Sequence, residues 1–453
     1  MVPDRFRPPT VVPPGRPLGV LASLRAVRRN VPNVLPEISF TQPIVSGSTG
    51  PARWHMVQGA EGMRRVFLDN VANYPKSEVM IRMLRPAVGA SLFTSEGDAW
   101  RWQRRAIAPV FSARNVRALA PVMSATAARA AAGIGAQDGP VEMVGEMLSA
   151  TFDVICEVAL SGRAHFDAEA YGAAITRYFL TVGRASLLDF LEVPPWVPRP
   201  GEILGRGAVR TMHRMVAAAI EARRAEGASG GADDLLDHML KAEDPATGRR
   251  MGPKDLLHNM QFFIVAGHET TALAVAWSLY LLANAPAMQD RARAEAQAAV
   301  KGGAATADDL AAAPYIEQVL QEAMRLYPPV GLLARNVLAA DRIYDREIGP
   351  RDTVFLNIYA LHRHRMWWED PDAFDPDNFA PEKVAARDRY LHLPFGAGPR
   401  ICVGANFAMM QAQIILTTLL ARFRFAPAGP DPAPIMHMTV RPEPGVTLSA
   451  TRA

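Results

Sequence analysis

Cys402 lies in the segment FGAGPRICVG (residues 395–404), which combines one cysteine with three glycines and an arginine. The apolar run after this segment predicts a helix, so the cysteine lies at or just before a helix N-terminus. Unpaired backbone amides and the helix dipole favour a thiolate at such a position. The glycines permit positive φ or the close approach of a flat molecule, and Arg400 supplies a fixed cation. The segment is therefore predicted to hold an anionic sulfur against something large.

A second group of reactive side chains lies inside an apolar stretch, residues 260–286. Its polar island consists of His268, Glu269, Thr270 and Thr271. A wet stripe on a surface helix is one interpretation, but the surrounding apolar residues favour a central helix, where an uncompensated carboxylate is costly. An acid beside an alcohol in a dry helix indicates proton delivery. His268 lacks a second His or Cys at i+3 or i+4, so we interpret it as a helix residue and not as a metal ligand.

The cysteine segment matches the pattern F-x-x-G-x-R-x-C-x-G at Phe395, Gly398, Arg400, Cys402 and Gly404. A lone cysteine is more often a buried turn residue. Because this segment agrees at every specified position, it instead closely resembles the haem-ligand loop of the cytochrome P450 family. The resemblance implies that Cys402 is the axial thiolate of haem b, a ligand that pushes electron density onto the iron and favours O–O cleavage. It also implies that Phe395 and Arg400 contact the cofactor.

The polar island extends this resemblance, because its AGHETT sequence matches the family's oxygen-activation pattern. The resemblance implies that small Ala266 lets the helix pass close to the haem and that Glu269 and Thr270 deliver protons to oxygen. In the segment QEAMRLYPP, Glu322 and Arg325 resemble the family's E-x-x-R helix. There the two side chains form a buried pair that supports the cysteine loop.

Asn378 departs from the family pattern. The family usually completes the buried pair with an arginine in a P-E-R-F or P-E-R-W segment, whereas residues 376–379 of this chain read PDNF. An amide donates hydrogen bonds but carries no charge. The sequence leaves open whether Asn378 fully replaces the arginine.

The two propionates of a haem need cations or hydrogen-bond donors. By resemblance, the residues expected to supply them are Trp100 and Arg104 in GDAWRWQRR, Arg335 in LLARN, and Arg400. The W-x-x-x-R spacing puts Trp100 and Arg104 on one helical face.

Helical spacing of apolar residues dominates the chain. It predicts helices over residues 118–134, 171–187, 209–226, 255–285, 287–300 and 315–327. Short strands are predicted near residues 54–58, 330–337, 353–357 and 435–448. The expected fold is therefore mainly α with a minor β-sheet region, and the resemblance implies the cytochrome P450 fold, with haem between the long central helix and the helix after the cysteine loop.

We predict a single cytochrome P450 domain over residues 1–453, in which residues 1–34 form a proline-rich extended N-terminal segment. The glycine-rich residues 226–234 are predicted to be a surface loop. The N-terminal segment lacks the apolar core of a signal peptide, and no transmembrane anchor is expected. Two cysteines in 453 residues favour a reducing compartment, and Cys156 is interpreted as a core residue. These features predict a cytoplasmic protein.

The net charge is only +4, from 49 basic and 45 acidic residues, which disfavours nucleic acid as a main partner. The resemblance implies a haem-thiolate monooxygenase that uses O2, two electrons and two protons to oxidise an apolar small molecule such as a fatty acid, terpenoid, steroid or aromatic compound. Its electrons are expected from a separate ferredoxin or flavodoxin with an NAD(P)H reductase. Arg101, Arg104 and Arg105 are candidates for a basic docking face, although a solvated helix face explains Arg101 and Arg105 equally well.

Two alternative functions stay open. A peroxygenase that uses H2O2 directly would not need Glu269 and Thr270, so their presence favours O2. A haem-thiolate redox or gas sensor without turnover belongs to another class of protein. Such a sensor has no use for a proton relay, and NAD(P)H consumption in the presence of a lipophilic compound discriminates it from an enzyme.

Overall fold

The structure, a computed structural model, describes residues 5–14, 18–49, 52–160, 167–182, 200–226 and 234–452. Helices form most of this part of the chain. In chain order they are α1 (Val20–Arg29), α2 (Ala60–Arg64), α3 (Glu78–Val88), α4 (Gly97–Ile107), α5 (Ala113–Ala118), α6 (Ala120–Gly135), α7 (Met143–Leu160), α8 (Ala168–Thr181), α9 (Pro200–Glu226), α10 (Leu235–Lys241), α11 (Pro253–Ala283), α12 (Pro286–Ala299), α13 (Pro314–Leu326), α14 (Ile358–Leu361), α15 (Pro381–Ala386) and α16 (Ala405–Arg422).

The strands are short. In chain order they are β1 (Ile44–Thr49), β2 (Ala52–Val57), β3 (Val141–Glu142), β4 (Leu333–Asn336), β5 (Asp341–Ile343), β6 (Arg346–Ile348), β7 (Thr353–Leu356), β8 (Phe423–Pro427), β9 (Ala433–Met436), β10 (Val440–Glu443) and β11 (Thr447–Arg452). One sheet has the order β1-β2-β7-β4 and another the order β3-β11-β8, while β9 pairs with β10 and β5 with β6. β2 and β7 are parallel, and the other pairs are antiparallel.

The chain divides into two compact units. The first contains residues 1–75, 123–150 and 270–453, and the second contains residues 76–122 and 151–269. All the strands given above belong to the first unit. The second unit is built from helices, and α11 contributes its first half to the second unit and its last half to the first.

A hydrophobic core in the first unit joins the four-stranded sheet to the segment that leads into the cysteine loop. Val57, Val354 and Leu356 of the sheet pack in one cluster with Phe67 and Leu393. None of these five side chains is more than 4% exposed. Burying an apolar side chain of this size stabilises a fold by roughly 1.5 to 3 kcal/mol. The sheet therefore fixes the chain around Phe67 relative to the segment at Leu393.

Aromatic pairs organise the second unit around the first half of α11. The ring centroids of Phe262 and Phe93 are 5.7 Å apart, and those of Phe263 and Phe111 are 5.0 Å apart. Such pairs contribute about 0.5 to 1.5 kcal/mol beyond their burial. These contacts fix the helix that carries the polar island.

α11 confirms the predicted central helix, whose expected bounds were residues 255–285. By length and composition it could cross a membrane, but 78% of its most apolar window is buried inside the protein. A helix that is apolar on all sides is typical of a protein core.

Other predicted elements agree with the structure in position. The helices predicted over residues 118–134, 287–300 and 315–327 correspond to α6, α12 and α13, and residues 209–226 lie inside the longer α9. The helix predicted over residues 171–187 corresponds to α8 as far as Thr181. Its last residues, 183–187, and residues 227–233 of the predicted surface loop lie outside the described residues.

The prediction of an extended segment over residues 1–34 is wrong in its second half. Residues 5–14 have no helix or strand, as their prolines require, but α1 occupies Val20–Arg29. Its sequence, VLASLRAVRR, contains no proline and is rich in Leu, Ala and Arg, which favour helix. The prolines therefore predicted an extended conformation correctly for residues 5–14, but not for the proline-free residues of α1.

Candidate functional site

Cys402 lies three residues before α16 begins, at the end of a tight loop. Its backbone N–H donates to the Phe395 carbonyl at 2.9 Å, and the Ile401 N–H donates to the Gly398 carbonyl at 3.1 Å. Cys402 is exposed among the protein atoms, whereas Cys156 is buried. Burial raises the pKa of the Cys156 thiol to about 12. This confirms Cys156 as a core residue, and its chemistry is unlike that required of a thiolate ligand.

Two glycines of the cysteine loop have backbone conformations that favour glycine. The φ angles of Gly396 and Gly398 are +71° and +68°. A Cβ on Gly398 would lie 2.0 Å from the carbonyl oxygen of Phe67, a contact that no side-chain motion relieves. Phe67 belongs to a π-helical turn, Arg65–Asp69. Such turns are frequent at functional sites, but nothing in the sequence distinguished Phe67 as a neighbour of the loop.

Arg335 and Arg400 approach the stretch of chain from Phe67 to Tyr74. Arg335 lies on β4 and is 6% exposed, and its guanidinium carbon lies 5.9 Å from the centroid of the Phe67 ring. Arg400 Nη1 lies 3.5 Å from the carbonyl oxygen of Tyr74, just after the turn. Within the first unit the structure thus brings two predicted cations to the segment that touches the cysteine loop.

Glu322 and Arg325 form a fully buried ion pair on α13. Two nitrogens of Arg325 donate to the two carboxylate oxygens of Glu322 at 2.6 and 2.7 Å, and both side chains are 0% exposed. The predicted buried pair is therefore present. The remaining Arg325 hydrogen bonds go to backbone carbonyl oxygens, those of His362, Pro371 and Ala373.

Asn378 reaches this pair, as its position in the family pattern implies. Its side-chain amide nitrogen donates to Glu322 Oε1 at 3.2 Å, and its backbone carbonyl oxygen accepts from Arg387 Nη2 at 2.5 Å. The Trp368 ring is contacted by two guanidinium groups, that of Arg387 at 4.2 Å and that of Arg325 at 4.8 Å. Burial lowers the pKa of Arg387, while the nearby Glu322 acts to raise it. Asn378 thus donates to Glu322 where the family pattern has an arginine, and Arg387, a cation that sequence reasoning missed, binds beside it.

Trp100 and Arg104 lie in the second unit on α4. Both side chains are half-buried, and their i, i+4 spacing puts them on one face of the helix, as predicted. The neighbouring Trp102 is buried and stacks under the guanidinium of Arg249 at 3.8 Å.

One face of α11 is less covered by protein than the rest. Phe262, Ala266 and Thr270, spaced at i, i+4 and i+8, are half-buried, whereas most residues between them are buried. Glu269 is 4% exposed. The buried Thr271 hydroxyl has no hydrogen-bond partner within the described residues. A stripe of this kind suits a helix that meets a large non-protein group.

His268 points into the helices of the second unit. Its ring lies 5.5 Å from that of Phe152, and its Nδ1 lies 3.2 Å from the Ile264 carbonyl oxygen, to which it can only donate. Its own carbonyl accepts the Thr151 hydroxyl at 2.7 Å. These contacts support the interpretation of His268 as a structural helix residue.

The proposed docking arginines of α4 have acidic partners. Arg105 makes two hydrogen bonds to Asp244, at 2.6 and 2.7 Å, and the Arg105 guanidinium holds the pKa of that carboxyl well below its usual value. Arg101 pairs with exposed Asp98 at 2.6 Å. Arg105 is therefore held by an ion pair with Asp244, and the docking role of these arginines stays a prediction.

The donors of the first unit fit a haem. Among the described residues, no group of three or more His, Cys, Asp and Glu side chains could hold a bare metal ion. A haem needs little more from the protein than an axial ligand, since the porphyrin supplies the remaining nitrogens. Cys402 has the sulfur of such a ligand, the turn at Gly398 has no space for a side chain, and Arg335 and Arg400 are cations suited to propionates.

Comparisons with known proteins agree with this chemistry. The family described as Cytochrome P450 matches residues 12–450. Leukotriene-B4 omega-hydroxylase 3 of Mus musculus is 27% identical over 397 residues, which cover 82% of this chain and 75% of that protein. Cyclooctatin synthase of Streptomyces melanosporofaciens is 27% identical over 445 residues, with coverages of 97% and 94%. The crystal structure of the cytochrome P450DA heme domain aligns with a TM-score of 0.84 and 25% identity over 99% of both chains.

Proposed function

The chain belongs to the cytochrome P450 family and is a haem b monooxygenase of apolar small molecules, and we propose that Cys402 is the sulfur ligand of its haem. When bound, the haem supplies oxygen activation, which a thiolate ligand favours. The observation that carries the proposal is the loop itself. Its closing hydrogen bond from Cys402 to Phe395 and its glycine turn against Phe67 hold the cysteine ahead of a helix N-terminus.

We propose that Glu269 and Thr270 hold and move the protons that oxygen reduction consumes. They are consecutive residues of α11, one buried and one half-buried. Ala266, one turn earlier on the half-buried stripe, leaves space beside the helix. This arrangement suits general acid catalysis in a site that excludes water.

We propose that the haem propionates are bound by Trp100, Arg104, Arg335 and Arg400, and that Phe395 packs beside the ligand sulfur. Arginine forms short charge-assisted hydrogen bonds to carboxylates, and the Trp100 indole donates one more. The position of Arg335 supports this role, because its guanidinium lies beside Phe67, the residue against which the glycine turn of the cysteine loop packs.

The family uses O2 and a redox partner, and we propose that this partner is a ferredoxin or flavodoxin reduced by an NAD(P)H reductase. Arg101 is the α4 arginine most exposed for docking, and its ion pair with Asp98 is of the weak surface kind.

We further propose one functional domain over residues 1–453, supported by the family match. We propose a cytoplasmic location, supported by the use of only two cysteines.

Substrate preference is proposed from relatives and from the α11 stripe. One relative is named as an omega-hydroxylase of leukotriene B4, and the half-buried Phe262 and Ala266 are apolar. We propose a lipophilic substrate with a long apolar portion. A spectral titration with fatty acids, terpenoids, steroids and aromatic compounds tests it, because a substrate that displaces water from the iron changes its spin state.

The deciding experiment for Cys402 is the spectrum of the reduced protein with carbon monoxide. We expect the long-wavelength band of a sulfur-ligated haem, and we expect Cys402→Ser to lose it. A variant that kept the band would overturn the proposal. With surrogate ferredoxin and its reductase, NAD(P)H consumption that depends on a lipophilic compound excludes the sensor. Turnover with H2O2 alone at an equal rate would favour the peroxygenase.

A further inference from the structure

His362 lies between the buried ion pair and the cysteine loop. It is 0% exposed. Its carbonyl oxygen accepts a hydrogen bond from Arg325 Nη1 at 2.9 Å, and its ring Nε2 accepts one from the backbone N–H of Leu393 at 2.8 Å. Both ends of one residue thus make polar contacts, the backbone to α13 and the side chain to the segment before Cys402.

The contact at Leu393 continues into the loop. The Gly396 N–H donates to the Leu393 carbonyl at 3.1 Å, and the Cys402 N–H donates to the Phe395 carbonyl at 2.9 Å. These successive hydrogen bonds define the turn that carries the sulfur. Leu393 is 4% exposed, so its N–H has no ready access to water if the His362 ring is removed.

The ring must be neutral to accept this bond, with its hydrogen on Nδ1. Burial, together with the positive charge of Arg325, lowers the pKa of His362 to about 3. A second ring, that of the half-buried His392, lies 4.9 Å away and is itself packed 4.6 Å from Phe379. The ring is therefore held in one orientation as a neutral acceptor.

We propose that His362 is a positioning residue that couples the Glu322–Arg325 pair to the loop of Cys402 and thereby fixes the direction of the sulfur. The proposal rests on the proposed role of Cys402 as haem ligand. The ion pair fixes the backbone of His362, its ring fixes Leu393, and Leu393 begins the turn that ends at the cysteine. His362 thus provides a polar connection from the ion pair to the segment that leads into the loop.

The test compares two substitutions. His362→Leu removes the acceptor at similar volume, whereas His362→Gln keeps an oxygen that can reach the position of Nε2. In the carbon monoxide spectrum of the reduced protein, we expect His362→Leu to move at least half of the pigment from the long-wavelength band to a shorter wavelength, as the sulfur is protonated or lost. We expect His362→Gln to retain most of the band.

His364 provides the matched control. It is also 0% exposed, and its Nδ1 accepts a local backbone N–H, that of Met366 at 3.3 Å. His364→Leu should destabilise the protein to a similar degree and leave the band unchanged. If His362→Leu does not fold, His362→Gln and His362→Asn replace it, since the shorter Asn cannot reach Leu393 and should lose more of the band.

The outcomes separate this proposal from the proposed function. If the wild-type protein has no long-wavelength band, the role of Cys402 fails and the inference about His362 fails with it. If the wild-type band is present and His362→Leu keeps all of it, or if His364→Leu loses as much, only the positioning role is overturned.

Discussion

At Gly398 the backbone leaves no space for even one methyl group. We expect Gly398→Ala to abolish accumulation of haem-loaded protein, because a Cβ would meet the Phe67 carbonyl oxygen at 2.0 Å and the residue has a φ of +68°. The loss of stability should exceed about 4 kcal/mol, the range of severe strain. The absorbance of purified protein at the haem band, relative to total protein, measures this.

Gly396 is the matched control in the same loop. Its φ is +71°, but its Cβ would approach only the Phe67 ring, at 3.8 Å. Gly396→Ala therefore carries only the cost of a left-handed conformation, about 1 to 2 kcal/mol, and should still yield pigmented protein. Equal yields from both variants would show that the close approach of Phe67 is not what requires glycine at position 398.

The contribution of Asp341 to stability depends on pH. Burial alone would raise the pKa of its carboxyl, but hydrogen bonds from Arg65, Tyr74 and Asn70 outweigh this effect and hold the pKa well below its usual value. These bonds fasten the π-helical turn region to β5. A carboxyl whose pKa is lowered by folding stabilises the fold above its unfolded pKa, near 4, and loses this contribution as the pH falls further.

We therefore expect Asp341→Asn to lower the free energy of unfolding by about 2 kcal/mol at pH 7. The difference between wild type and variant should shrink as the pH falls below about 4. Denaturant unfolding at pH 7 and pH 3.5 measures it. Asp98→Asn, at a 97% exposed side chain, is the control and should stay within about 0.5 kcal/mol at both values. A difference that grew at low pH would contradict the assignment.

The candidate site was predictable from sequence where residue type and spacing suffice. Cys402 and the Glu322–Arg325 pair could be identified because their spacing is short and each side chain is costly to place without a partner. Arg387 and His362 could not be identified in this way. Arg387 acts on Glu322, which lies 65 residues away along the chain, and His362 binds Leu393, which lies 31 residues away. Such contacts are set by the fold and leave no local periodicity.

At the scale of elements, the long helices α11 and α13 were predicted best, whereas the long apolar helix α7 was not predicted. α11 and α13 have apolar residues at helical spacing over three turns or more, so their bounds were close. β1 was missed because IVSGST has little alternation, and its strand exists through pairing with β2, where Ile44 faces Val57. α3 was missed because Pro86 interrupts its pattern.

The segment from Asn378 to Arg387 offers a test of charge placement between elements. We expect Arg387→Gln to lower the midpoint temperature of haem loss, because it removes the cation beside Trp368 and Glu322, at a cost of about 1 to 2 kcal/mol. Adding Asn378→Arg in that background should recover at least half of the loss, because it returns a cation to the Asn378 position, within reach of Glu322.

Two controls accompany this test of charge placement. Asn378→Arg alone should not stabilise the protein, since two guanidinium groups would then crowd one carboxylate. Lys383→Gln, on the exposed face of α15 between the two positions, should leave the midpoint unchanged. If the double variant were no better than Arg387→Gln, Arg387 would act by packing on Trp368 and not by its charge.

At the scale of the whole molecule, the family match, the composition and the helical content agree with one another. The contacts of the N-terminal segment, however, could be identified only from the structure. Phe6 packs 5.9 Å from the Tyr280 ring, and the Phe374 N–H donates to the Phe6 carbonyl at 2.9 Å. The Tyr327 hydroxyl donates to the Pro9 carbonyl at 2.8 Å. The prolines predicted an extended chain, but they did not predict which side chains contact it.

Deleting residues 1–11 should therefore destabilise the protein, although the family match begins only at residue 12. The deletion uncovers apolar surface at Tyr280 and leaves the Tyr327 hydroxyl without its acceptor, which together cost roughly 3 kcal/mol. We expect a fall of a few degrees in the midpoint of thermal unfolding, measured on the haem-loaded protein. Arg7→Ala removes only the exposed pair with Asp370 and should change the midpoint by about 1 °C or less. An unchanged midpoint after the deletion would mean that these contacts add nothing to the stability of the fold.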